Sequence, residues 1–84
     1  MHQQDIIHKI NTLLIEEIEV DESLISPQAN LKKDLGIDSL DFVDLFVIID
    51  NHFGIKLKAE EMSEVVTLGD FYEHILKRLD SNPN

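Results

Sequence analysis

Ser39 lies in the run Asp34-Leu35-Gly36-Ile37-Asp38-Ser39-Leu40-Asp41, where a flexible stretch gives way to a helix-forming one. A hydroxyl at the start of a helix sits where backbone N–H groups point outward and the helix dipole is positive. Two roles fit that position. The serine can be a helix cap, for which Ser and Asp are preferred, or it can carry a phosphate, which a helix N-terminus favours. Nucleophilic catalysis fits poorly. A nucleophile elbow needs Gly two residues after the serine, and Asp41 stands there. A serine nucleophile also needs a positioned base, and His8, His52 and His74 have no triad context. The sequence is therefore read as a protein that is not itself an enzyme.

Other chemistry is thinly represented. His2, His8, His52 and His74 show no His-Glu-x-x-His spacing and read as surface or helix-flank residues. Asp34, Asp38, Asp41 and Asp44 are spaced by four, three and three, a helical rhythm. A calcium loop needs alternating ligands, a central Gly and a closing Glu, so no metal is expected. With no cysteine, a disulfide scaffold, a thiolate zinc site and a catalytic thiol are all excluded.

The acids between Asp34 and Asp50 form a second constellation. Five occur there with no Lys or Arg, half of the net charge of −10, and they interleave with Leu40, Val43 and Val47. An apolar strip inside a field of one sign reads as an interaction surface, with apolar contact for affinity and charge for steering.

These features need a frame to hold them. The 84 residues make one domain, too small for a dinucleotide-binding fold, a TIM barrel or an α/β-hydrolase. Seventeen acidic against seven basic residues argue against nucleic acid and anionic membranes, and for partners with basic surfaces. The start Met1-His2-Gln3-Gln4-Asp5 lacks the basic and apolar run of a signal peptide, and no stretch is long enough to span a membrane. A cytoplasmic monomer is expected.

Ile6, Ile7, Ile10, Leu13, Leu14 and Ile18 predict a helix over about 3–19. A long loop follows, broken by Ser26-Pro27, with Leu24, Ile25, Leu31, Leu35 and Ile37 as hooks into a core. Asp38 or Ser39 starts a second helix running to about Phe53, with Gly54 as its C-cap. It carries two apolar stripes: Phe42, Leu45, Phe46, Ile49 and Phe53 face a core, while Leu40, Val43 and Val47 have none to fill. A short helix is predicted over 59–66, and Thr67-Leu68-Gly69-Asp70 opens a last helix as a capping box with Asp in place of Glu. The fold class is all-α, a small bundle of three main helices plus one short helix. Its ordered core covers about 3–80, and 81–84 form a flexible tail.

The run around Ser39 closely resembles the attachment motif of acyl carrier proteins. Ile25-Ser26-Pro27 with Ala29, Phe53-Gly54-Ile55 and Thr67-Leu68-Gly69-Asp70 resemble further points of that family, in order, over roughly residues 5 to 80. The resemblance implies a carrier in fatty-acid or related, polyketide-like biosynthesis. A phosphopantetheinyl transferase would move 4′-phosphopantetheine from coenzyme A to Ser39, and acyl groups would ride on its thiol. It implies that Asp38, Ser39 and Leu40 are read by the transferase. Leu40, Asp41, Val43, Asp44, Val47 and Asp50 match the recognition face for acyl-transfer and chain-elongation enzymes. Phe42, Phe46 and Ile49 lie where family members shelter an acyl chain.

Some residues depart from the family's usual pattern. Phe42, Ile48 and Ile49 are bulky and are expected to narrow an acyl cavity, favouring short, rigid or poorly sequestered cargo. Asn51 and His52 replace commonly acidic positions, and Lys56 and Lys58 follow. Two alternatives stand beside this reading. One is an aminoacyl carrier with the same attachment chemistry, and the other is an unmodified acidic helical adaptor.

Overall fold

The steps of three and four from Ile6 to Leu14 close into one buried helix face. In a computed structural model, which describes residues 2–81, α1 runs Gln3–Glu17 and buries Ile6, Ile10, Leu13 and Leu14. It stops two residues short of the expected Glu19. Glu19 takes a left-handed conformation (φ 63°), and the Val20 N–H turns back to the Leu14 carbonyl at 3.0 Å. Periodicity continues through Ile18 and hides this stop, because no glycine or proline marks it.

The loop between α1 and α2 is pinned rather than slack. Asp21 accepts from the Ser23 N–H and caps a 3₁₀ turn, Glu22–Leu24, that the sequence pattern does not announce. Leu31, Leu35 and Ile37 are buried as expected, and Ile25 is half-buried. Leu24 corrects the expected set of hooks, since it rides on the 3₁₀ turn and is exposed; Val20 and Ala29 are buried instead. Backbone bonds tie this loop to the start of α3. Leu68 N–H donates to the Ala29 carbonyl and Gly69 N–H to the Pro27 carbonyl, both at 2.8 Å, and Leu31 N–H donates to the Val66 carbonyl at 3.0 Å. Asn30 and Thr67 form one isolated antiparallel bridge. Gly69 suits this approach, since a Cβ there would lie in tight contact, 3.0 Å from the Pro27 oxygen.

α2 spans Ser39–Phe53 and ends on Gly54 in the left-handed region, where glycine escapes the steric penalty of a side chain. Ile55 and Leu57 then enter the core. The short helix is a 3₁₀ segment, Ala59–Glu64, ending before Val65 and Val66. α3 runs Leu68–Ser81 and begins with the expected box: Asp70 N–H donates to Thr67 Oγ1 and Thr67 N–H donates to Asp70 Oδ2, both at 3.1 Å. The helix carries on into Ser81, where the tail was expected to begin. The rest of that tail, 82–84, lies outside the described residues.

One core joins all parts. Ile10 and Leu14 of α1, Leu45 and Ile49 of α2, and Leu68, Phe71 and Ile75 of α3 are fully buried, with Leu31 and Ile37 of the loop between them. The Tyr72 hydroxyl donates to Asn11 Oδ1 and fastens α3 to α1. The described residues are all-α, with three long helices and two short 3₁₀ segments and no strand among them. Among the described residues no helix is long and apolar enough to cross a membrane.

Candidate functional site

Two aspartates decide what the first turn of α2 offers. Asp38, not Ser39, is the N-cap. Its Oδ1 accepts from the Asp41 N–H at 2.9 Å, and its own N–H donates to Asp41 Oδ2 at 3.2 Å. The capping role left open for Ser39 is thus taken by its neighbour. Ser39 becomes the first helical residue, exposed, with no side-chain hydrogen bond among the described residues. The first-turn N–H groups of Ser39 and Leu40 have no acceptor within the helix.

Ser39 also stands on the rim of an apolar groove of about 530 Å³ between α2, the long loop and the 3₁₀ segment. Phe42 and Phe46 form one wall, their ring centroids 6.2 Å apart and tilted by 38°. Leu31, Met62 and Val65 line the other side. Of the three residues expected to narrow an acyl cavity, only Phe42 lines this groove. Phe46 lines it as well, and Ile48 packs against the core. Ile49, expected beside the two phenylalanines as a pocket residue, lies fully in the core and does not line the groove. It shares the inward face with Phe42 and Phe46 but is fully buried where they are half-buried, in one cluster with residues of α1 and α3.

On the outer side of α2, Leu40, Val43 and Val47 are 77%, 58% and 57% exposed. Asp44 is exposed among them, while Asp41 is partly covered by its capping role. Asp50 differs from the other acids, because Lys56 Nζ lies 3.3 Å from its Oδ2 and offsets its charge. The strip is therefore unneutralised from Asp38 to Val47 and partly neutralised at its end.

One cluster escaped the sequence reading. Glu61 on the 3₁₀ segment meets His74 Nε2 at 3.0 Å and accepts from Arg78 Nη1, while its Oε2 accepts from the Lys58 N–H at 2.8 Å. Arg78 also donates to the Lys56 carbonyl at 3.3 Å. Partial burial pushes the Glu61 carboxyl up. The Lys58, Arg78 and His74 contacts outweigh that and hold it below the usual carboxylate range. His74 is thus no plain surface residue. It helps clamp the segment that forms one side of the groove onto α3. The i, i+4 pair His74 and Arg78 was the available signal. Among the described residues no group of three or more metal-ligating side chains converges.

The site thus presents a free hydroxyl at a helix start beside an apolar groove, an arrangement that suits the covalent attachment of a group. The comparisons agree. The family model described as "Phosphopantetheine attachment site" matches residues 8–75. The chain is 36% identical over 77 residues to the acyl carrier protein of Thermotoga maritima, covering 92% of this chain and 95% of that one. It also superimposes on a crystal structure of an acyl carrier protein from Thermotoga maritima with a TM-score of 0.77. The sequence identity there is 25%, and the match covers 95% of this chain and 93% of that one.

The chain belongs to the acyl carrier protein family. Members of that family are non-catalytic carriers with a covalently attached 4′-phosphopantetheine group, and they interact with phosphopantetheinyl transferases and biosynthetic enzymes.

Proposed function

We propose that this chain carries acyl groups on a 4′-phosphopantetheine arm esterified to Ser39, as a cytoplasmic monomer serving a biosynthetic pathway. When attached, the arm supplies the thiol that this cysteine-free chain lacks, and acyl groups are held there as thioesters. The observation that carries the reading is the free hydroxyl of Ser39 on the groove rim, released from capping by the Asp38–Asp41 box. The residues fit the group. The unpaired N–H groups of the first turn and the helix dipole favour a phosphodiester, and the groove has room for an apolar chain.

The residues of α2 divide the remaining work. Asp38 and Asp41 fix the first turn and so aim Ser39 outward. Asp38 and Leu40, flanking the serine, are what a modifying transferase reads. Leu40, Val43 and Val47 offer apolar contact, and Asp41 and Asp44 steer basic docking surfaces toward it. Asp50 contributes less to steering, since Lys56 partly neutralises it. Phe42 and Phe46 shelter cargo, while Ile49 supports them from the core without touching it.

Loading tests this. Incubation with coenzyme A and a promiscuous phosphopantetheinyl transferase should add one phosphopantetheinyl group, seen by intact mass, and Ser39→Ala should abolish the gain. An unmodified wild-type chain under those conditions contradicts the reading and favours an adaptor.

A further inference from the structure

We propose that Lys32 and Lys33 form an anion subsite on the rim of the Ser39 groove and select acyl cargo that carries a carboxylate. This rests on the reading of Ser39 as the attachment point.

The chain has seventeen acidic residues, yet none of those described lines the groove, and Lys32 and Lys33 are the only charged lining residues among the described ones. A positively charged recess of a strongly acidic protein thus lies beside the serine expected to bear the arm. Both lysines are held in place through their backbone. Asn30 Oδ1 accepts from the Lys32 N–H at 3.0 Å and from the Lys33 N–H at 2.9 Å. Asn30 is itself fixed by Asp34, whose Oδ2 accepts its N–H at 2.7 Å, and by the bridge to Thr67. The nearest acid in sequence is therefore occupied with the loop's backbone. Neither ammonium has a carboxylate partner among the described residues, whereas Lys56 and Arg78 do.

Phe42, Phe46 and Met62 offer contact to an apolar body, and Lys32 and Lys33, lining the same groove, supply positive charge for an anionic group. Two sources of anion are in reach: a carboxylate on the cargo and the phosphodiester of the arm. The phosphodiester already has the start of α2 to neutralise it. The lysines are then left for a charge on the cargo. Burying a carboxylate in the apolar part alone would be costly, so the rim makes the groove usable by acids that a wholly apolar slot would reject.

The test compares four forms of the protein, each verified by intact mass: unmodified, thiol arm, glutaryl arm, and the near-isosteric neutral 5-methylhexanoyl arm. Thermal midpoints are measured at low salt for the wild type and for the exposed-surface variant K32Q/K33Q. The substitution should lower the midpoint of the glutaryl form by about 2–4 °C more than that of the neutral form. That excess should shrink in 0.5 M salt, about where charge screening reaches only a few ångströms. Equal drops in all four forms would overturn the subsite. A larger drop in all three armed forms than in the unmodified one, with no glutaryl excess, would assign the lysines to the phosphodiester and overturn the cargo preference. A chain that accepts no arm fails at the mass measurement, which overturns the attachment reading instead.

Discussion

Asp38 and Asp41 cap each other's backbone N–H groups across the first turn of α2, at 2.9 and 3.2 Å, and Ser39 between them is left without a partner. The same two acids thus do structural work and contribute to the charged strip. That overlap makes their substitution ambiguous unless stability is measured alongside loading. Asp38→Ala and Asp41→Ala should each lose about 1 kcal/mol of folding stability by chemical denaturation. Asp44→Ala, whose side chain makes no hydrogen bond among the described residues, should leave stability within about 0.5 kcal/mol of wild type.

Asp44 therefore isolates steering from folding. Asp44→Lys should slow transferase loading, and the deficit should fade as salt rises, because screening removes long-range attraction. Loading kinetics across ionic strength check this. A deficit that does not change with salt would mean that Asp44 acts by contact rather than by steering.

Gly69 lies against the loop it anchors. Its N–H donates to the same Pro27 carbonyl that a Cβ would meet at 3.0 Å. Gly69→Ala should therefore cost about 1–2 kcal/mol in denaturation, as overpacking displaces that carbonyl. Glu19→Gly should act in the opposite direction. It removes a left-handed non-glycine residue at φ 63° and should gain up to about 1 kcal/mol.

Acid should loosen the clamps. Asp70 is held below 3.8 by the Thr67 and Val66 N–H groups, Asp21 below 3.8 by the Ser23 hydroxyl and N–H, and Glu61 below 4.5 by the contacts that outweigh its burial. A depressed carboxyl contributes stability that is complete above its unfolded value and is lost as pH falls through its folded one. Stability should thus be insensitive to these groups above about pH 5 and decline as pH drops below about 4. Thermal midpoints from pH 7 to pH 3 check this, and Glu61→Gln should show a shallower decline.

Much of this was legible because the residues involved announce themselves. The spacing of Ile6, Ile10 and Leu14, the Thr67–Asp70 box and Gly54 give helix faces and ends directly. The second stripe of α2 was legible as exposed because Leu45 and Ile49 already fill the core-facing side. Other features depend on what arrives from elsewhere in the chain. Leu24 looks like a hook until Asp21 caps a turn that lifts it outward. Ile49 shares a stripe with Phe46 but sits under it, and helical spacing alone does not set depth within a cluster. The Glu61–His74–Arg78 clamp joins two elements, and the close approach at Gly69 involves Pro27 far back in the loop. Lys32 and Lys33 are unremarkable in sequence and acquire meaning from a groove rim without acids.

The central claim is that the Asp38–Asp41 box leaves Ser39, and no other serine, as the attachment point. Ser63 also lines the groove and is exposed, so it is the natural competitor. Fragmentation mass spectrometry of the loaded wild-type chain decides between them. The account predicts the phosphopantetheinyl group on the peptide bearing Ser39, with none on that bearing Ser63. A group found on Ser63, or an undiminished mass gain in Ser39→Ala, would contradict it.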